Sequence, residues 1–525
     1  MKKLIITLSL FSLLVFGGCT KSFLDVRSYD DLVGNEFWKD RNDVEMYMQG
    51  LFYDFRATTT SSIFLAATGD FRAAPVVFAH PSLPDDLKAY KMFSLLRTND
   101  LDEIYNYYNI SEYDYLPAFP HRDFARFDLV KRWSGFYQII QKANIAVVEI
   151  NKEGGPDLSE RERKQYTAEA VFVRNLCYFF LVRVFGDVPY YTEAYFDKVI
   201  GRTNMLEVLA NIDKDMSEYY KDLPWTYSNN AQVGSRAQRG GAIALMMHTN
   251  MWLAGFSESK KDEYYQRTIT LGDELLNENQ NAYGLVNIDN IETVFQGRSK
   301  EGLFEITQNS NFSGEVFNRA LTFAQMVKSR RVSNTAQIFY SIVKYDIDYM
   351  NKLYPLNEPD KRKALWFNGD MDPSIPNNPT YFDCKKFHTK AQLAINDLVP
   401  NNNQIVFRLP DCILLQAEAY ANLNQPGPAY EKLMVIRNRA EASALNSAMS
   451  LDELKDAIWF ERSRELFGES HYFFDLVRTK KATNPAYTTN PILSSDFAKG
   501  AWTWPIDRSA LLNNPEMVLN TFWNN

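Results

Sequence analysis

The stretch Ser159–Pro189, SERERKQYTAEAVFVRNLCYFFLVRVFGDVP, decides how this chain folds. It opens on Ser159-Glu160-Arg161-Glu162, a capping box. The serine oxygen meets an orphan amide of the first turn, and the glutamate reaches back to the serine amide. Gly186 and Pro189 end the helix. Between them, Val171, Phe172, Leu176, Phe179, Phe180 and Val184 spread around the whole cylinder. A helix that is apolar all round belongs in the middle of a helical stack.

Helical signals recur on both sides. The spacing of Val44, Tyr47, Met48, Leu51 and Phe55 predicts a helix over 43–55. Phe136, Ile139, Ile140, Ala143, Val147 and Ile150 predict another over 133–151. Further helices are expected over 204–222, 235–256 and 264–276. Pro410 suits a first helical turn and starts 410–422. The turn Asn424-Gln425-Pro426-Gly427-Pro428 then makes a helical hairpin with 429–440. Ser450-Leu451-Asp452-Glu453 is a second capping box, opening a helix that Gly468 closes. Helix pairs of this kind cannot bury their apolar faces alone, so they stack on one another.

Two regions break the pattern. Residues 56–126 are rich in Thr, Pro and Tyr, and residues 277–403 hold Pro, Asn and Asp clusters with strand fragments such as Leu303-Phe304-Glu305-Ile306. Long irregular stretches inside a compact domain carry function more often than packing. The expected organisation is a leader at 1–18 and a tether at 19–35. A helical region at 36–276 follows, with an insertion at 56–126. A second region at 277–525 carries an insertion at 277–403.

The leader is specific in kind. Lys2 and Lys3 are followed by the apolar run Leu4–Phe16 and then Gly17-Gly18-Cys19. This is an export signal with small residues before a cysteine, as a lipoprotein signal peptidase requires. Phe16 departs from the usual leucine. Cys19 would carry the acyl chains, each buried methylene adding about 0.8 kcal/mol of membrane affinity. No later window is apolar enough to span a bilayer.

Composition narrows the rest. The chain has 525 residues, 46% hydrophobic and 23% charged, which places it among folded globular proteins. Net charge is −8 with no basic run, which argues against a nucleic-acid partner. Once Cys19 is acylated, Cys177, Cys384 and Cys412 are left, an odd set that suits small core residues better than a disulfide framework. Glu461 and Glu465 lie one helical turn apart beside Arg462 and Arg464. Paired carboxylates can cleave a glycosidic bond, but this spacing fits an ion-paired packing network, with Arg437 and Arg439 as partners. His80, His121, His248, His388 and His471 show no metal-ligand spacing, and no phosphate-loop, dinucleotide or nucleophile-elbow motif occurs. No cofactor, no metal and no catalytic residue is therefore expected.

Several segments, taken in order, resemble the SusD/RagB family of outer-membrane nutrient-binding lipoproteins of Bacteroidetes. The resemblance begins at Cys19 with Phe23-Leu24-Asp25, then Glu36-Phe37-Trp38 and Gly50-Leu51-Phe52. It continues through Ala168-Glu169-Ala170, Arg174, Tyr178-Phe179 and Phe185-Gly186-Asp187-Val188-Pro189. In the second half it rests on Arg408-Leu409, Gln416–Tyr420, Ile436–Ala440, Glu461-Arg462, Arg464-Glu465-Leu466, Phe474-Asp475-Leu476 with Arg478, Trp504-Pro505-Ile506 and Asn514-Pro515. Ser470 and Tyr472 depart from the residues common in the family, and so does the closing run Leu519–Trp523.

The resemblance implies a mainly α, SusD-like fold, with four stacked tetratricopeptide-like helix pairs, long irregular insertions and a few short strands. It implies a non-enzymatic cell-surface lipoprotein that binds an oligosaccharide and delivers it to a SusC-like TonB-dependent transporter. Alternatives are a peptide-binding RagB-like member or a surface glycoside hydrolase. A pyranose has apolar faces that stack on aromatic rings, and hydroxyls that need polar side chains beside them. In the first insertion that mixture comes from Phe71, Arg72, Tyr90, Asn99, Asp102, Tyr105, Tyr107 and Tyr108. The second insertion offers Asn311, Phe312, Arg319 and Trp366.

Overall fold

The computed structural model describes residues 37–60, 64–78, 95–100, 130–308, 343–369, 382–387, 402–507, 509–512 and 514–524. The leader, Cys19 and the tether lie outside the described residues.

Nine helices of ten residues or more carry the described fold. They are α1 (Arg41–Thr60), α2 (Ser134–Asn151), α3 (Glu160–Phe185), α4 (Met205–Tyr219), α5 (Arg239–Phe256), α6 (Lys261–Asn277), α7 (Leu409–Asn422), α8 (Pro426–Arg439) and α9 (Leu451–Glu465). Each packs on its neighbour in sequence, from α1 through α9. The pairs α2/α3, α4/α5, α6/α7 and α8/α9 therefore form one continuous stack. The fold is mainly α, as the periodicity requires.

α3 sits at the centre of this stack. Both halves of its capping box form: the Glu162 amide donates to Ser159 Oγ at 3.3 Å, and the Ser159 amide donates to Glu162 Oε2 at 3.0 Å. Every residue from Tyr166 to Phe185 is buried. Gly186 then turns the chain at φ 72, a left-handed conformation that glycine adopts without steric cost. The second capping box, Ser450 with Glu453, also forms, and α9 follows it. Cys177, Cys384 and Cys412 are all buried.

The boundaries differ in instructive places. α1 runs past Phe55 to Thr60, where the Thr59 and Thr60 hydroxyls donate to the carbonyls of Phe55 and Arg56 at 2.8 and 2.7 Å. α5 begins at Arg239, because Arg236 is engaged in ion pairs to Glu45 and Glu169. Pro426 and Pro428 do not form a separate turn; they enter the first turn of α8, where a missing amide costs nothing.

Three short antiparallel pairs tie the insertions to the stack. β1 (Val76–Phe78) pairs with β3 (Val343–Tyr345), β2 (Gly302–Ile306) with β6 (Gln404–Arg408), and β4 (Phe367–Gly369) with β5 (Phe382–Cys384). The β2–β6 pair lets α6 reach α7 across more than a hundred residues of chain. The second predicted insertion is thus not wholly irregular. It holds β2, whose partner β6 lies just beyond it, and the short helices Glu292–Gln296, Ile347–Leu353 and Lys361–Trp366.

Candidate ligand-binding face

The two insertions share a root. In the β1–β3 pair, Phe78 stands opposite Val343, Val77 opposite Lys344 and Val76 opposite Tyr345. β1 ends at Phe78 and β3 begins at Val343. The segment that follows β1 and the segment that precedes β3 therefore start side by side, about 5 Å apart. The Asp346 amide donates to Pro75 O at 2.8 Å and fastens the same ribbon.

Below this ribbon the chain makes a tight π-helical turn, Ala66–Phe71. A side chain on Gly69 would collide with the Ser470 backbone, so only glycine allows this approach. The Asp70 carboxylate accepts the Ser470 amide at 3.0 Å and its hydroxyl at 3.1 Å. Burial pushes the Asp70 carboxyl up to about 8, against the pull of the Ser470 hydrogen bonds.

Arg72 lies beside it and is wholly buried. Its guanidinium donates to the carbonyls of Ala501 at 2.5 Å, Thr503 at 3.1 Å and also Trp502. Its Nε donates to Asn99 Oδ1 at 2.9 Å. The cation lies 4.4 Å from the Phe473 ring centre and 5.9 Å from that of Trp504. Burial draws the Arg72 guanidinium well below the usual arginine range.

These contacts correct part of the sequence reading. Phe71 and Arg72 are core residues that pin the first insertion to the closing segment 501–504, so neither can present a face to a sugar. Asn99, half-buried at φ 59, serves as the acceptor for Arg72. Trp366 is also buried, with the Lys386 ammonium 4.2 Å from its ring centre. The reason is common to all three of Phe71, Arg72 and Trp366: large rings and a long cationic side chain next to an insertion root have more surface to bury in the stack than to offer to solvent. Tyr90, Asp102, Tyr105, Tyr107, Tyr108, Asn311, Phe312 and Arg319 lie outside the described residues.

The Glu461–Glu465 pair is an ion network. Glu461 pairs with Arg362 at 2.7 Å, Arg437 at 2.8 Å and Arg464 at 3.1 Å. Glu465 pairs with Arg408 at 2.6 Å, Arg362 at 2.9 Å and also Arg439. Both carboxylates are fully buried and held below their ordinary range, against burial, by these cations. Arg437 and Arg439 are the partners that sequence spacing pointed to.

Spacing missed one cluster that folding assembles. His248 Nε2 lies 2.6 Å from Asp411 Oδ2, and His471 stacks on His248 with ring centres 5.5 Å apart. The trio is compact enough to be compared with a cation site. Arg462 sits 2.9 Å from Asp411 Oδ1 and brings a positive charge into the cluster. Burial holds both imidazoles below their usual value, His471 at about 4. Two imidazoles and an arginine–aspartate ion pair thus share one buried cluster.

Sequence models agree with this architecture. The model of the SusD family matches residues 322–523, and a model described as starch-binding, associating with outer membrane, matches residues 23–248. A solved SusD homologue from Bacteroides thetaiotaomicron superposes with a TM-score of 0.79 at 39% identity, covering 93% of this chain and 100% of that one. The chain belongs to the SusD family. A SusD-like protein of Formosa agariphila is 25% identical, over 98% of this chain and 97% of its own length. A solved laminarin-binding SusD-like protein shares the fold at 21% identity and a TM-score of 0.67, covering 92% of this chain and 99% of that one. No helix among the described residues is long and apolar enough to cross a bilayer.

Proposed function

We propose that this SusD-family protein is a lipid-anchored, cell-surface receptor that binds oligosaccharide and passes it to a SusC-like TonB-dependent transporter without cleaving it. The observation that carries this reading is the shared root of the two insertions. Phe78 and Val343 stand opposite each other, so the segment that follows β1 and the segment that precedes β3 adjoin at this ribbon. A rigid helical stack with binding loops at one end is the usual way a scaffold supports recognition. The matched description, starch-binding and associating with outer membrane, and the laminarin-binding neighbour support a glycan ligand.

Binding without turnover is supported by the state of Glu461 and Glu465. Each is buried among arginines, so neither can offer a proton or a base to a ligand. Attachment would come from acylation of Cys19. Tethering raises the effective concentration of receptor at the transporter, so modest affinity per site suffices.

A glycan-array screen of residues 20–525, with each incubation checked for breakdown products, tests this. Binding with intact glycan is the expected result. Turnover would replace it with the hydrolase reading, and an empty array with a peptide ligand. For the anchor, Cys19→Ser is expected to abolish labelling by an alkyne fatty acid and to release the protein from membranes. Retention of label would refute lipidation at Cys19.

A further inference from the structure

A second concavity lies away from the insertion root. It is a groove of about 650 Å³ between the outward face of α1, the turn at 229–236 and the edge of β2. That volume falls in the range of about 300–1,000 Å³ typical of small-ligand pockets. Met46, Gly50 and Tyr53 share one face of α1, at the i, i+4 and i+7 positions of the helical repeat. Met46 is 56% exposed and Tyr53 is 50% exposed, although the opposite face of the same helix is core.

Gly50 is the informative residue. It sits in the interior of a twenty-residue helix, where glycine costs about 0.5–1 kcal/mol relative to alanine. The fold does not explain it: a Cβ built there meets nothing within 4 Å. Packing would accept alanine and helix propensity would favour it. What glycine supplies is a gap in the helix surface between Met46 and Tyr53, on the wall of the groove.

The polar lining also has a direction. Glu45 is engaged by Arg236 at 2.7 Å, Gln49 at 3.1 Å and Tyr166 at 3.0 Å. Glu305 accepts the Arg298 amide and Asn403 Nδ2, both at 2.7 Å, and Gly234 lies over it. Both carboxylates are committed inward. The groups that face the groove include the Tyr53 ring, the exposed Arg298 guanidinium and the amides of Gln49 and Gln232, each of which also spends one donor on Glu45 Oε1, at 3.1 and 3.4 Å. A half-exposed ring over a gap, flanked by amides and one guanidinium, is a surface for a flat-faced, hydroxyl-bearing ligand.

We infer that this groove is a separate saccharide-binding subsite, with a sugar ring seated over Gly50 against Tyr53 and its hydroxyls held by Gln49, Gln232 and Arg298. The ligand class rests on the glycan-capture reading; the location does not.

The test screens five proteins on an array of neutral and uronate-bearing oligosaccharides, then titrates them with maltohexaose and laminarihexaose. The proteins are wild type, Gly50→Leu, Tyr53→Ala, Tyr53→Phe and the insertion variant Tyr105→Ala/Tyr107→Ala/Tyr108→Ala. Gly50→Leu fills the gap and should raise the melting temperature, since leucine is the better helix former. The expected result is that at least one glycan is bound about tenfold more weakly by both groove variants. Tyr53→Phe, which keeps the ring, should retain it. Groove variants that match wild type on every glycan that wild type binds would overturn the subsite and leave glycan capture standing. Loss in the insertion variant alone would do the same. Loss in both sets would keep the subsite and add the insertion tyrosines to it. No glycan bound by wild type would overturn both readings.

Discussion

Two buried arginines, Arg408 and Arg72, show how differently this fold accommodates a cation. Arg408 is surrounded by carboxylates: Glu301 at 2.8 Å, Glu465 at 2.6 Å and Glu469 at 2.6 Å. Its pKa is driven well above the usual value, despite burial, by Glu469 and Glu465. Arg72, among the described residues, meets only neutral acceptors: three carbonyls, one amide oxygen and two aromatic rings. Its pKa moves the other way. Hydrogen bonds can be satisfied in both places, but only carboxylates compensate the lost hydration of a full charge. The network around α9 is a charge-balanced unit. The root of the first insertion is a hydrogen-bonded pin.

That comparison orders the consequences of breaking each. Arg408→Met should have the largest effect, about 3–5 kcal/mol in denaturant unfolding, because it removes the cation that three buried carboxylates share. Arg72→Met removes a desolvated charge along with its bonds. It should cost about 1–3 kcal/mol, the penalty of leaving buried carbonyls unpaired. An Arg72 variant as unstable as the Arg408 variant would erase the distinction.

Asp70 sharpens it through pH. Its folded pKa of about 8 lies above the ordinary 3.8, so the folded state holds the extra proton between those values. Its contribution to stability is full below pH 3.8 and is lost as pH rises through 8. Asp70→Asn should therefore flatten the fall in melting temperature of the wild type between pH 5 and 8. An unchanged pH profile would refute the raised carboxyl. The smallest effect is expected at an exposed pair. Lys142 lies 2.5 Å from Asp54, close in geometry to the Arg408 pairs, yet Lys142→Met should change stability by only about 0–1 kcal/mol. Solvent, not distance, makes the difference.

The stack was legible because its signals are local. A capping serine with a glutamate three residues on, an apolar period and a terminating glycine fix α3 and α9 without distant residues. The pairing of Arg437 and Arg439 with Glu461 and Glu465 was legible too, since charge of one sign on a helix calls for the other nearby. Phe71, Arg72 and Trp366 were misread. An aromatic or an arginine beside an insertion looks the same in sequence whether it faces solvent or the core. The groove left a weaker trace: Gly50 was visible as a helix-interior glycine, but only the empty space around its Cβ sets it apart from a packing glycine.

By itself the sequence determined the helical class and the order of the stacked helices, because each depends on residues within a few turns of one another. Tertiary structure alone decided that Phe78 meets Val343, that Asp70 meets Ser470 and that His248, Asp411 and His471 share one cluster. Those contacts join residues 60 to 400 positions apart. Their pairing is set by which surfaces the stack leaves to be buried, and no local period encodes that.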